Sequence, residues 1–304
     1  MIQDVLSVVG SNPLVGVSIQ AGIKAIPTNC AHPMAAINAL TIQNTQRVSG
    51  INLVLISFAV DQINTLSSDF HVNEEMVSII ANADITQVVA DVLWREIGAS
   101  IILDWVIVAK VGALLSSDAA IATVYDALQP LAIISTLTIS EAVHLLGLPQ
   151  AITNEEKSAN GRALCALGLR AVLMKGGHLD ADENPNVLIT NIGANWFNSP
   201  EVSSKNTHGT SCILLVTIGA QIAQGLNLPD AIGTPKTHVA AEFLQADQLY
   251  VGSGCDPIHH FANLHSKRKL KYETDIFDHR SDPVCIATRS TRSDDLDVGL
   301  VYQS

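Results

Sequence analysis

The chain has no excess of basic residues: 17 Lys and Arg stand against 29 Asp and Glu, a formal net charge of −12. That balance argues against a nucleic acid or an anionic membrane as the main partner, so a small anionic substrate must be met by locally placed lysines or backbone N–H groups. Long hydrophobic runs are also missing. No stretch approaches the roughly 18 uncharged apolar residues of a membrane span, and no membrane association is expected. The first ten residues, Met1 to Gly10, carry no basic region ahead of an apolar run and read as a first strand, not a secretory leader. The five cysteines, Cys30, Cys165, Cys212, Cys255 and Cys285, include no pair at the short spacing of a metal site. Reduced thiols in a cytoplasmic protein are the expectation.

What is present is apolar matter: 48% of the 304 residues are hydrophobic, enough for a sizeable core in one large α/β domain or two smaller ones. The apolar runs are strand-length and alternate with helical periodicity. Val5 to Gly10 reads as a buried parallel strand leading through a small-residue loop into a helix from Ile19. Met34 to Leu40 is apolar and meets the polar cluster Thr41 to Thr45. Ile51 to Leu66 is too uniformly apolar to divide, with a helix expected from about Asp61. Helices are expected over 84–97, 116–128, 140–146, 154–169, 211–224 and 229–246. Strands are expected over 100–109, 131–135, 171–175 and 187–191. An unbroken β-branched run such as 100–109 is what a parallel strand covered on both faces requires. Alternation of this kind implies right-handed crossovers, a mainly parallel sheet with helices on both faces, and ligands at the carboxyl ends of the strands. Asn12, Gln43, Lys110, Lys175 and the loop before Cys212 all follow strands. Residues 265–304 are polar and basic-to-mixed, and read as an irregular or disordered tail.

The stretch from Asn206 to Ala220 concentrates chemical capacity. A small-residue loop runs straight into an apolar helix, so the first helical turn offers backbone N–H groups to an anion. Cys212 sits in that turn, where the helix dipole is expected to lower a thiol's pKa. The plain alternative is a helix capped by Thr210 with a cysteine that simply packs.

Several stretches together carry a resemblance. They are Gly10-Ser-Asn-Pro13 with Ile19-Gln-Ala21 and Lys24, Ala39 to Thr45, Leu103-Asp104 with Val108 to Lys110, and Ser140-Glu-Ala142. Val172 to Leu179, Asn206 to Thr210 with Cys212, and Gly254 with Pro257 to Phe261 complete the set. In order and spacing the chain resembles the hydroxymethylpyrimidine/phosphomethylpyrimidine kinases of thiamine biosynthesis, members of the ribokinase-like superfamily, over about Ser7 to Phe261. The resemblance implies a ribokinase-like α/β fold over residues 1–264 and transfer of two phosphoryl groups from ATP, first to a hydroxymethyl aminopyrimidine and then to its monophosphate. It implies Gly209, Thr210, Ser211 and Cys212 as the anion hole and base, and Gln43, Gly10, Gly22 and Val106 on the substrate side. It further implies Lys175, Thr207 and Lys236 toward ATP, Asp104 and Glu141 toward Mg²⁺ partly through water, and a cytoplasmic homodimer acting on a small molecule. His178, His208 and the His259-His260 pair match as framework.

The departures from that pattern gather at Gly and polar cleft positions. Asn12, Leu14, Val15, Ser18 and Gly22 replace Asp, Ser, two glycines and a second Asp. Met76 replaces a Lys, Thr138 an Asn, and Ser211 a Gly. A positive φ at Ser211 would cost roughly 1–2 kcal/mol. An apolar pattern retained around altered cleft residues leaves two alternatives open: a weakened or inert relative that binds pyrimidine, nucleotide or a protein partner, and a pyridoxal-type kinase.

Overall fold

The apolar runs form the inner strands of a nine-stranded sheet in the computed structural model. It describes residues 2–14, 16–78, 82–97, 101–107, 116–149, 151, 153–176, 185–198, 209–233 and 253. The strands are β1 (Gln3–Ser11), β2 (Ala31–Gln43), β3 (Val48–Leu53), β4 (Val72–Ser78), β5 (Ile101–Asp104), β6 (Ala132–Leu137), β7 (Ala171–Met174), β8 (Asn186–Thr190) and β9 (Gly193–Phe197). Their spatial order is β3-β2-β1-β4-β5-β6-β7-β8-β9. The pairings from β2 through β7 are parallel, while β3, β8 and β9 add antiparallel margins. Between the parallel strands run α1 (Ser18–Thr28), α2 (Ile56–Asp69), α3 (Ala83–Ile97), α4 (Asp118–Thr123), α5 (Ile139–Leu146) and α6 (Asn154–Ala166), and α7 (Thr210–Ala223) follows β9.

Strand alternation sorts the core into two layers. Val5, Met76, Ile102, Ile134 and Leu173 point to the side covered by α1 and α7. Leu6, Val77, Ile101, Leu103 and Val172 point to the opposite layer, where residues of α2, α3 and α5 pack. At about 1.5–3 kcal/mol per fully buried aliphatic side chain, these layers dominate the stability of the sheet.

Local chemistry sets the helix starts. Thr138 and Glu141 form a reciprocal capping box on α5, and Gly147, at φ 63°, ends that helix. Thr153 and Glu156 repeat the box on α6, and Ser117 accepts from the Ala120 N–H at the start of α4.

The structure differs from the sequence reading at identifiable places. The helix expected from Asp61 begins at Ile56, after an antiparallel strand, β3, that the apolar run concealed. Strand β5 ends at Asp104, because the chain turns there and Val106 N–H donates to the Asp104 carbonyl. The 116–128 helix continues past Thr123 as a π turn over Val124–Leu128. Strand β4 carries Glu74 and Glu75 in mid-sheet, almost fully buried, where the apolar pattern signals nothing. Both carboxyls are pushed up to about 8, Glu74 by burial, and Glu75 by burial and the neighbouring Glu74 charge. A helix starts at residue 228 and is described to 233; the rest of the 229–246 expectation and the 265–304 tail lie outside the described residues.

Candidate active site

Parallel strands deliver their last residues to one edge of the sheet, and the chemistry-bearing side chains collect there. Asn12 follows β1, Gln43 ends β2, Asp104 ends β5, Glu141 opens the helix after β6, and Lys175 follows β7.

Asp104, Thr136 and Lys175 form a buried polar group. Asp104 and Thr136 are register partners on β5 and β6, and the Lys175 N–H donates to the Leu137 carbonyl, which carries the β6–β7 ladder one residue past the strand. Asp104 Oδ1 accepts from Thr136 Oγ1 at 2.5 Å and from Lys175 Nζ at 2.7 Å. Glu141 Oε2 stands 3.8 Å from the same ammonium. The other oxygen of Asp104, Oδ2, is buried without a hydrogen-bond partner, as is Ser78 Oγ on the adjoining β4 position. Burial by itself would depress the Lys175 pKa, but the charges of Asp104 and Glu141 outweigh it and raise the value, so the ammonium is retained. Burial raises the Glu141 carboxyl, with Lys175 opposing and Asp104 reinforcing the shift. Glu141 has two tasks: its Oε2 also accepts from the Thr138 N–H at 2.6 Å. Thr138 therefore serves as the N-cap of α5.

Helix α7 begins at this edge. Its N-cap is Gly209, at φ 95°, and no side chain caps the helix. Thr210 is thus the first helical residue and not the cap considered from sequence. The first-turn N–H groups have no intrahelical acceptors, which is the arrangement that receives anions. A Cβ at position 209 would lie 1.8 Å from the Gly16 carbonyl oxygen, so only glycine permits the β1–α1 loop to close on the start of α7. Ser211 lies in the helix and is not among the described non-glycine residues with positive φ. The strain anticipated there sits instead at Ser18, at φ 58°, the buried first residue of α1.

Ser18 also touches the thiol: its backbone N–H donates to Cys212. Cys212 is a half-buried residue of the first turn of α7. Its pKa moves opposite to the sequence expectation. Burial and then the Asp104 charge push it up to about 11, and the Ser18 N–H and Lys175 only partly compensate. The helix dipole is a fraction of a charge, and burial of the thiol, reinforced by the Asp104 carboxylate, outweighs it.

The β1–α1 loop is fastened by amides. Asn12 is buried; its Oδ1 accepts from Leu14 N–H and its Nδ2 donates to Gln43 Oε1, both at 2.8 Å. Gln20 Oε1 accepts from Asn12 N–H, and Gln20 Nε2 donates to Ser11 Oγ.

The remaining expected residues fall as follows. Gly10 is buried at a register shift near the end of β1. Gly22 is buried between layers, with Ser7, Ile26 and Val216 nearest to where its side chain would stand. Val106 is half-buried and, with Ser78, Asp104 and Ser116, borders a small recess at the ends of β4 and β5. Met76, expected on the cleft side, is fully buried under α7 against Gly219. Thr207, Lys236, Lys110, His178, His208 and the His259-His260 pair lie outside the described residues. Ser78 and Thr136 join the site with no sequence signal of their own beyond standing in register with Asp104, and Ser18 is marked only as a departure from glycine.

Among the described residues no group of three His, Cys, Asp or Glu side chains is arranged to hold a metal. Asp104 Oδ2 is nevertheless an uncommitted buried carboxylate oxygen beside Glu141, which fits a hard cation held mainly by phosphate and water. No helix among the described residues is long and apolar enough to cross a membrane.

The family model described as phosphomethylpyrimidine kinase matches residues 13–259. The hydroxymethylpyrimidine/phosphomethylpyrimidine kinase of Escherichia coli is 36% identical over 256 residues, covering 84% of this chain and 96% of that protein. Among solved structures, Bacillus subtilis pyridoxal kinase, determined as an ADP complex, superposes with a TM-score of 0.79 at 21% identity, covering 87% of this chain and 99% of that one. A phosphomethylpyrimidine kinase from Clostridium difficile gives a TM-score of 0.69 at 24% identity, covering 78% and 98%. The sheet and its helices are thus the ribokinase-like α/β fold that the sequence implied.

Proposed function

The chain belongs to the phosphomethylpyrimidine kinase family, and on that premise we propose that it passes the γ-phosphoryl group of ATP to 4-amino-5-hydroxymethyl-2-methylpyrimidine and then a second to the monophosphate. The observation that carries the reading is the buried Asp104–Lys175–Glu141 group standing beside the thiol of Cys212 at the uncapped start of α7. A fixed cation and a set of helix N-terminal N–H groups suit a step whose demand is placement and neutralisation of phosphate charge.

In this reading Gly209 to Cys212 cradle the transferred phosphoryl group, and Lys175 meets the phosphates while staying anchored to Asp104. The hydroxymethyl oxygen attacks Pγ, the bond from Pγ to the bridging oxygen breaks, and ADP departs. The alcohol proton goes to Cys212 Sγ, which must be ionised to take it. Gln43 and Val106 face the ring. Asp104 Oδ2 and Glu141 would hold Mg²⁺, partly through water, and the ion would neutralise phosphate charge. Thr207 and Lys236 are assigned to the nucleotide side by the resemblance alone.

We extend the proposal to a cytoplasmic homodimer whose catalytic unit is residues 1–264. Exposed apolar side chains support the association: Leu40 and Ile42 on one face of the β2–β3 hairpin, Ile51 and Leu53 on the other. An ADP-release assay with a panel of hydroxymethyl pyrimidines and pyridines tests the activity. Turnover with the pyrimidine supports it, and no ATP consumption with any ring alcohol refutes it.

A further inference from the structure

Helix α6 buries a lysine against the strand pair that carries Lys175. Among the described residues Lys157 is the largest side chain to be wholly buried, and its Nζ donates to the Pro185 carbonyl, immediately before β8. Taking an amine out of water costs free energy that its hydrogen bonds must offset, and an apolar side chain of similar volume would fill the same space without that cost. Packing alone therefore does not account for a lysine here. The residue after Pro185 is Asn186, buried in turn, and its Oδ1 accepts from the Gly176 N–H at 2.8 Å. Gly176 follows Lys175, whose own N–H donates to the Leu137 carbonyl at 2.7 Å. Strands β7 and β8 are antiparallel with Met174 opposite Val187, so the Asn186 contact lies just past the ladder, at the end of the pair that reaches the candidate site. The main chain at Lys175 is gripped from both neighbours: by β6 at its own N–H and by Asn186 at the next one. Helix α6 stands close enough to transmit a position. A Cβ at Gly161, one turn after Lys157, would lie 2.6 Å from Ile189 Cγ1 and 3.2 Å from Met174 Cγ.

We propose that Lys157 is a positioning residue for the nucleotide: it fixes the start of β8, which holds Asn186 on Gly176 and so keeps Lys175 where the ATP phosphates are met. The links run from Lys157 to Pro185, through one peptide to Asn186, and across to the residue after Lys175. Asp104 holds the Nζ end of Lys175, and this chain of contacts holds the main-chain end. The inference rests on the proposed assignment of Lys175 to the phosphates. Its signature is selective, because the proposed ring side is built from the β1–α1 loop, β2 and the end of β5, none of which the chain of contacts touches. Cutting it weakens the nucleotide and spares the pyrimidine.

The test is calorimetry on the full chain, with a non-hydrolysable ATP analogue in the presence of Mg²⁺ and, separately, with 4-amino-5-hydroxymethyl-2-methylpyrimidine. Lys157→Met, which fills the same space without the donor, is expected to weaken the ATP analogue by about fivefold or more and to leave the pyrimidine within about twofold. Asn186→Ala, which cuts the second link, is expected to do the same. The double variant is expected to lose no more nucleotide affinity than the weaker single variant, because both changes break one chain of contacts. A merely structural lysine would lower the melting temperature and weaken both ligands together or neither, and either result overturns the inference. Losses that multiply in the double variant overturn it as well. Should Lys157→Met fail to fold, Asn186→Ala decides, and an analogue affinity within about twofold of wild type sinks the inference. All of these failures leave the kinase reading standing. Failure of the wild type to bind the analogue overturns both.

Discussion

Lys175 Nζ lies 2.7 Å from Asp104 Oδ1 with both side chains buried, and this contact holds the charge pattern of the candidate site. Removing the lysine would strand a carboxylate in a dry interior, at about 3–5 kcal/mol. Asp104→Asn is the cleaner change, since its amide oxygen can still accept from Thr136 and Lys175. It is predicted to lower kcat by about 100-fold or more, with the melting temperature changed far less than such a loss of activity would suggest if the protein were unfolding. Steady-state kinetics beside a thermal melt checks both parts.

Gly209 and Gly16 meet backbone to backbone, and the loop has no slack there. Gly209→Ala is predicted to destabilise the protein by about 2 kcal/mol or more and to abolish phosphoryl transfer, because the Cβ overlaps a carbonyl and the residue must hold a positive φ. Urea unfolding reads the first effect. Ser18→Gly goes the other way, with a predicted gain of about 1 kcal/mol from relief of its left-handed backbone. Ser211→Gly, in a helical first turn, should lose up to about 1 kcal/mol instead.

Cys212 stands protonated at neutral pH, its thiol pushed up to about 11. If the thiolate takes the hydroxymethyl proton, kcat must climb with pH by close to tenfold per unit between 7 and 9. Cys212→Ala is predicted to lose that slope. A wild-type profile that is flat over this range removes Cys212 from the role of base.

Glu74 and Glu75 give the fold a pH dependence of definite sign. An ordinary carboxyl near 4.5 is raised to about 8 in the folded state, so the folded protein binds more protons than the unfolded chain between those values. The carboxyls cost nothing below pH 4.5, and stability falls as pH rises from 4.5 to 8. Glu75 has both oxygens buried without partners. Glu75→Leu is therefore predicted to stabilise the protein at pH 8 by about 4 kcal/mol and to flatten the decline, as followed by urea unfolding across pH 5–8.

The sequence made the inner sheet legible because strands covered on both faces must be continuously apolar, as β1, β5 and β7 are. Strands β3 and β9 lie at the margins, mostly exposed, and carry no such signal. Strand β4 was hidden by two glutamates that its position makes costly. Asp104 is legible because a carboxylate in an apolar strand is expensive and implies partners, whereas Lys175 and Glu141 are named by the resemblance alone. Their mutual distances, and the pKa of Cys212, depend on residues far apart in the chain and only become readable once the strands are aligned. A glycine in the family pattern marks position 211 for strain, but the positive φ falls at Ser18 in the neighbouring loop.

The most direct test of the account is mass spectrometry of the products formed from ATP and 4-amino-5-hydroxymethyl-2-methylpyrimidine by the wild type and by Asp104→Asn. The account predicts the monophosphate followed by the diphosphate with the wild type, and loss of both with a folded variant. A wild-type protein that binds the pyrimidine but forms neither phosphate contradicts it.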